Sequence, residues 1–241
     1  MTGPDGARPA HDGRRAWILG LETATSRALV FAADRDGRLL GAITWDAGQR
    51  PGEGLLRAVG RLTGEANLRR SRIAAVAVGL GPGGFTGLRV AVATAKTIAH
   101  GLGRSLLGIS TGSALLEAAG IDVEAGVPVL VLPAGPSDRV ELRVGTDPVR
   151  IPGGIPVTVA PGERLVAIDL EGRAPEPALA AGRRALDRLP AVLARAAAAR
   201  LASGDADDPA TLVPIYVTPP RGLDPSVGAE VEEVGWSRGR P

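Results

Sequence analysis

Gly79-Leu80-Gly81-Pro82-Gly83-Gly84-Phe85-Thr86-Gly87-Leu88-Arg89 is the stretch on which the fold turns. Ahead of it, Ile73-Ala74-Ala75-Val76-Ala77-Val78 is apolar without alternation, the pattern of a strand buried on both faces. Behind it, small and apolar residues run from about Thr86 to His100 and meet Gly101, which predicts a helix closed by that glycine. Two nucleotide-binding spellings lie inside the turn, and both fail on chemistry. Gly79, Gly81 and Gly84 have dinucleotide-fingerprint spacing, but no acidic residue ends the next strand, Leu106 to Ser110, to hold a ribose. Gly79 and Gly84 also have phosphate-loop spacing, yet Phe85 and Thr86 stand where Lys and Ser/Thr belong. What remains is steric and electrostatic: the glycines let the backbone approach another surface closely, and the helix start offers N–H groups to an anion. Residue chemistry leaves a capping turn and a docking loop (Gly81, Pro82, Gly83, Gly84, Arg89) level.

Upstream, Trp17–Leu21, Ala28–Ala32 and Leu39–Trp45 are short apolar runs, the last two joined through Asp36-Gly37, a strong hairpin signal. They predict three antiparallel strands. Leu55, Leu56, Val59 and Leu62 give a helical period over 53–66. Downstream, Leu106–Ile109 reads as a buried strand and Thr111–Ala119 as a short helix. The order β-β-β-α-β-α-β-α is that of a ribonuclease-H-like unit. The second half predicts strands at Val127–Leu132, Val140–Val144, Val157–Val159 and Leu165–Ile168. A helix follows over 178–202, broken at Pro190, and then an edge strand at Leu212–Val217 containing Pro214. The expected organisation is a solvated tail over 1–14, a first lobe over 15–122, a degenerate second lobe over 123–219 and a C-terminal tail over 220–241.

Composition removes several function classes. With no Cys there is no thiolate nucleophile and no sulfur-ligated metal, and two His cannot build a multi-histidine site. No apolar run is long enough to span a bilayer, and 1–14 lacks the apolar core of a secretory signal, so a cytoplasmic protein is expected. The pI of 9.8 suggests nucleic-acid binding, but 28 basic against 26 acidic residues leave a net of only +2. Aromatics make up 2% of the chain, too few for a base-stacking platform, so autonomous RNA or DNA binding is not expected.

The segment after the glycine turn is small or apolar on nearly every face, so a second chain is a candidate to cover it, approaching along Gly87, Ala91 and Ala95; the alternative is an Ala-rich core helix. Glu22-Thr23-Ala24-Thr25 sits between the first two strands, where actin-like ATPases hold phosphate and Mg²⁺. Glu22, Thr23 and Thr25 are candidates for a degenerate version of that loop, and a hydrogen-bonded turn is the plainer reading. Ser110, Thr111 and Ser113 have no histidine partner.

Two segments resemble the TsaB (YeaZ) family: Ile18-Leu19-Gly20-Leu21-Glu22-Thr23-Ala24-Thr25, and Ala77-Val78 through the glycine turn to Val90. The helix continuation Ala91–Ala99 and the closing Pro214-Ile215-Tyr216-Val217-Thr218-Pro219 are similar to the family's as well. The resemblance implies an actin-like ATPase, ribonuclease-H-like α/β fold of two lobes with mixed sheets flanked by helices. It also implies a bacterial, non-catalytic role without cofactor or metal in making threonylcarbamoyladenosine in tRNA. The implied partners are the transferase TsaD, a metal-bearing paralogue, and the ATPase TsaE, with a homodimer as the other pairing and tRNA touched only indirectly. Family pairing through first-lobe helices implies an interface of Leu55, Leu56, Val59, Leu62, Phe85, Thr86, Gly87, Leu88, Ala91, Val92, Ala95 and Ile98. The chain departs from the family at Pro51-Gly52-Glu53, often His-Ser-Glu, at Pro133-Ala134-Gly135, usually an Asp-Ala-Arg segment, and at Glu22, more commonly Asp. The rivals are an actin-like or sugar-kinase-like ATPase using Glu22 and Thr25, and a glycoprotease, a label attached to this superfamily whose HxxxH metal pair is missing here.

Overall fold

In the computed structural model, residues 16–47, 54–121 and 126–217 are described. The three apolar runs form β1 (Trp17–Glu22), β2 (Arg27–Asp34) and β3 (Leu39–Asp46). Gly37 takes φ +82° in the β2–β3 turn, as the Asp-Gly pair demands. Helix α1 (Leu55–Glu65) leads to a 3-10 turn at Arg70–Arg72, then β4 (Ile73–Gly79), α2 (Phe85–Leu102), β5 (Ser105–Ile109) and α3 (Thr111–Gly120). The first sheet has order β3-β2-β1-β4-β5, with β1 antiparallel to β2 and parallel to β4.

Both faces of this sheet are covered, which is why its inner strands read as continuous apolar runs. On one face Leu19, Leu21, Val30 and Val76 pack with Leu55 and Leu62 of α1 and Ala91, Val92 and Ala95 of α2. On the other, Ile18, Phe31 and Ala77 pack with Leu115 of α3. Gly20 is required between β1 and β2: a Cβ there would lie 1.9 Å from Phe31 Cε1, so the ring fills that space.

The second sheet comprises β6 (Val127–Pro133), β7 (Arg139–Leu142), β8 (Val149–Ile151) and β9 (Glu163–Ala167), in the order β8-β7-β6-β9. Helix α4 (Glu176–Ser203) packs on both sheets, so Leu189 and Leu193 share one core with Phe31 of the first and Leu130 and Val166 of the second. It crosses β9 so closely that a Cβ on Gly182 would stand 2.0 Å from the Ala167 carbonyl oxygen.

Several boundaries differ from the sequence reading. Helix α2 runs through Gly101 and ends at Gly103, which takes the left-handed φ of +59°. Helix α4 is not broken at Pro190, which lies inside it and is buried, as are Leu186, Leu189, Val192 and Leu193 around it in sequence. Apolar packing on either side outweighs the roughly 3 kcal/mol a helical proline costs. No strand forms at Val157–Val159, and the unforeseen one is β8. Leu212–Val217 is not a strand either; its Ile215 N–H donates singly to the Leu80 carbonyl, and the β5 edge is met instead by an isolated bridge from Asp207 to Leu106. Both expected tails, Pro51-Gly52-Glu53 and Thr218-Pro219 lie outside the described residues.

Candidate functional site

The glycine turn, the β1–β2 connection and the start of α3 converge on Glu22. Its carboxylate is fully buried. Oε1 accepts the Ala24 N–H at 2.5 Å, and Oε2 accepts the Thr111 hydroxyl at 2.6 Å. Thr111 Oγ1 in turn accepts the Gly81 N–H at 3.0 Å. Burial pushes the Glu22 carboxyl above its usual range, and the hydrogen bonds from Thr111, Ala24 and Thr23 oppose that shift. Gly79 is glycine because a Cβ would fall 1.8 Å from Glu22 Oε2. Thr23 donates to the Gly87 carbonyl at 2.7 Å, and Thr25 to the Arg27 carbonyl at 3.1 Å. The Glu22 carboxylate is thus spent inside the protein, and the Thr23 and Thr25 hydroxyls donate internally, although both threonines line the cleft above.

The close approach foreseen for the glycines is real, but the chain makes it to itself. A Cβ on Gly83 would lie 2.2 Å from the Ala24 carbonyl oxygen, and the Gly84 N–H donates to that same oxygen at 2.7 Å. Gly81 and Pro82 are buried, whereas Gly84, Phe85 and Arg89 are exposed. The reading of Gly81, Pro82 and Gly83 as a loop docking on another chain is corrected accordingly: Gly83 meets Ala24 of the 22–26 turn, Gly81 lies against Leu88 and the Thr111 hydroxyl, and Pro82 against Gly112 of α3. Arg89 instead stacks over the Phe85 ring at 5.2 Å, and Phe85 meets Tyr216 with ring centroids 5.3 Å apart.

Above this junction a cleft of about 940 Å³ opens between the two sheets. One wall is the 23–26 turn and the first turn of α2, and the other is the 133–138 loop. The positive end of α2 faces it, where an anion is electrostatically favoured. The guanidinium that lines the cleft, Arg150, is held by Asp138 (Nε to Oδ2, 2.9 Å), and that contact, with the Gly153 N–H, keeps the Asp138 carboxyl below its ordinary value. Asp169 of the second lobe accepts the Ser26 N–H at 2.7 Å and its hydroxyl at 2.5 Å, tying the lobes together beside the cleft. Among the described residues no group of three or more His, Cys, Asp or Glu converges as a metal set, and no helix is long and apolar enough to cross a membrane.

The residues expected at a partner interface split into two sets. Leu55, Leu62, Gly87, Leu88, Ala91, Val92 and Ala95 are buried in the chain's own core, Ala91 and Ala95 with no exposure at all. The small-residue stripe of α2 therefore faces the chain's own sheet, and the expectation that a partner approaches along Gly87, Ala91 and Ala95 is corrected. Leu56, 66% exposed, with Phe85 and Thr86 and the half-buried Val59 and Ile98, remain on the outer surface of α1 and α2. Val90, Ala93 and Thr97, which sequence reasoning did not single out, lie on the same outer side of α2; their i, i+3, i+7 spacing was the available signal.

Residues 46–142 match the family model described as TsaD: tRNA N6-adenosine threonylcarbamoyltransferase. An uncharacterized protein of Mycobacterium leprae (strain TN), ML0378, is 34% identical over 155 residues, which is 61% of this chain and 41% of that protein. The chain thus spans about two-fifths of the length of the curated relative it matches. YeaZ from Pseudomonas aeruginosa superposes with a TM-score of 0.62 at 21% identity, covering 83% of this chain and 99% of that one. A second Pseudomonas aeruginosa structure, of an uncharacterized protein with similarity to peptidase YeaZ, gives 0.63 at 21% identity, covering 84% and 100%. The resemblance carried by the β1 segment and the glycine turn therefore holds at the level of the fold: the chain has the actin-like, ribonuclease-H-like architecture of YeaZ (TsaB), two mixed sheets flanked by helices.

Proposed function

We propose that this chain is a non-catalytic, cytoplasmic subunit of a bacterial tRNA threonylcarbamoyladenosine-modifying assembly, and that it binds and activates a TsaD-type transferase through the outer surface of α1 and α2. The observation that carries the pairing is Leu56, a large apolar side chain left 66% exposed on α1 beside Val59, with Ile98 and Val90 of α2 resting on the same core. Burying such a ridge against a sister fold removes apolar surface from water at about 25 cal/mol per Å². The match of residues 46–142 to the TsaD family model and the YeaZ fold support the partner's identity. TsaE as a third component, and a homodimer in the absence of TsaD, belong to the same proposal.

Against the ATPase alternative, Glu22 is sealed behind the Thr111 and Ala24 hydrogen bonds, and the Thr25 hydroxyl donates to the Arg27 carbonyl. A lysine to grip phosphate is missing from the glycine turn. The pairing is tested by mixing the chain with the TsaD of its own organism and measuring the complex by size-exclusion chromatography with light scattering. Leu56→Glu should abolish the complex while leaving the isolated chain folded.

A further inference from the structure

We propose that one end of the first sheet is a docking surface for the phosphate backbone of RNA; the proposal deepens the tRNA-modification reading and rests on it for the kind of nucleic acid. The topology brings six arginines to that end. Arg35 and Arg38 lie in the β2–β3 turn, Arg69, Arg70 and Arg72 immediately precede β4, and Arg104 precedes β5. In the sheet order β3-β2-β1-β4-β5 these connections sit side by side, since Asp34 pairs with Trp17, Trp17 with Ile73, and Ala75 with Ser105. The Trp17 indole N–H donates to the Arg69 carbonyl at 3.0 Å, which anchors the middle connection to β1. With strands about 4.8 Å apart, the bases line an arc of roughly 15–20 Å.

These arginines differ from most of the others in what they touch; away from this end, among the described residues, Arg57 and Arg89 alone likewise lack an ion pair or hydrogen bond. Elsewhere, Arg27, Arg61, Arg143, Arg150, Arg183, Arg195 and Arg200 are ion-paired. All six at this end are exposed, and among the described residues none of their side chains has an ion pair or hydrogen bond. The nearby acids offset them only in part, since Asp34 and Asp36 of the β2–β3 turn keep their charge but are outnumbered by the six arginines. Asp34 is occupied by the N–H groups of Asp36 and Arg38, and Asp36 is the exposed carboxylate of the same turn. Asp205 and Asp207 at the β5 edge are held by Arg200, Asp208 accepts the Ala210 N–H, and Glu65 is paired with Arg61. A chain with a net charge of only +2 thus concentrates unpaired guanidinium on one end. Guanidinium is the side chain whose fork matches phosphate oxygens in bidentate fashion. An anionic membrane is the poorer fit, because among the described residues Leu102 is the one large apolar side chain exposed near this end, whereas interfacial binding needs an apolar face beside the bases.

The test is fluorescence anisotropy of a labelled tRNA transcript titrated with the full chain at 50 and 200 mM salt. The wild type should bind, with log affinity falling against log salt by about 0.9 per phosphate contact. The combined variant Arg69→Glu/Arg70→Glu/Arg72→Glu should lose at least about tenfold in affinity and flatten the slope by about 3. Arg35→Glu/Arg38→Glu/Arg104→Glu, on the other connections, should do the same, so misfolding of one variant does not rescue the proposal. A charge-matched control away from the arc, Arg57→Glu/Arg173→Glu/Arg183→Glu, should change affinity less than about twofold at 200 mM salt. Absence of wild-type binding at 50 mM salt, equal loss in the control, or equally tight binding of phosphatidylserine vesicles would overturn the assignment to RNA. Failure here with a TsaD complex intact removes the RNA surface alone; RNA binding without a TsaD complex removes the scaffold reading alone.

Discussion

Gly83→Ala and Gly84→Ala, a pair of adjacent substitutions, should have unequal consequences, the first destabilising and the second close to neutral. At Gly83 the new Cβ would lie 2.2 Å from the Ala24 oxygen and 2.7 Å from the Ala24 carbonyl carbon and Cβ. Real Cβ atoms do not approach so closely, and the obstacle is largely backbone, so the 22–26 turn must move. That movement strains the Gly84 N–H bond to Ala24, at 2.7 Å, and the Thr23 bond to Gly87. Overpacking of this kind costs about 1–3 kcal/mol. For a chain of this size each kcal/mol lowers Tm by about 2–4 °C, giving a drop of roughly 2–12 °C. At Gly84 the nearest atom, the same oxygen, would be 3.7 Å away, an ordinary contact. Alanine is a poorer N-cap than glycine, but it also restricts the unfolded chain, and the two effects are each below about 1 kcal/mol and opposed. Thermal unfolding followed by calorimetry should therefore separate the variants clearly. Equal melting temperatures would refute the claim that the glycine turn is shaped by the chain's own 22–26 turn.

Ala95 is fully buried in the first-sheet core, so Ala95→Arg should unfold or severely destabilise the isolated chain by burying an unpaired charge, as circular dichroism would register. Glu22→Gln should flatten the pH profile of stability. The folded Glu22 carboxyl sits above its unfolded value, so its contribution is fully present below the unfolded value and is lost as pH rises through the folded one. Melting curves between pH 4 and 8 should show that falling limb in the wild type and lack it in the variant. Thr111→Val removes the hydroxyl linking the Gly81 N–H to Glu22 and should cost about 1–3 kcal/mol in urea unfolding. Calorimetric titration of the isolated chain with Mg-ATP should give no binding heat, since Glu22 and Thr25 are already bonded internally.

The first sheet was legible because its signals are local: apolar runs without alternation, an Asp-Gly hairpin, and glycines between a strand and a helix. Element ends were less so. Gly101 and Gly103 are equally good helix terminators by composition, and which one turns left-handed depends on where the helix leaves the sheet. Pro190 looked like a break because its local cost is visible in sequence and its burial beside Leu189 and Val192 is not. The same holds for the site. Spacing of Gly87, Ala91 and Ala95 marks one close-packed helix face, and no spacing distinguishes the chain's own sheet from a partner. The glycine turn announced a close approach without naming Ala24 as its neighbour. A net charge of +2 says nothing of where the charges lie, so the arginines gathered at one end of the sheet became visible only once the strand order was known.

The proposed pairing sets the outer side of α1 and α2, with the exposed Leu56, against a TsaD-type partner. Light scattering on the chain mixed with its own organism's TsaD tests it directly. A one-to-one complex for the wild type, lost with Leu56→Glu while both proteins stay folded, is the predicted result; separate elution of the two wild-type proteins, or a complex indifferent to Leu56→Glu, would contradict it.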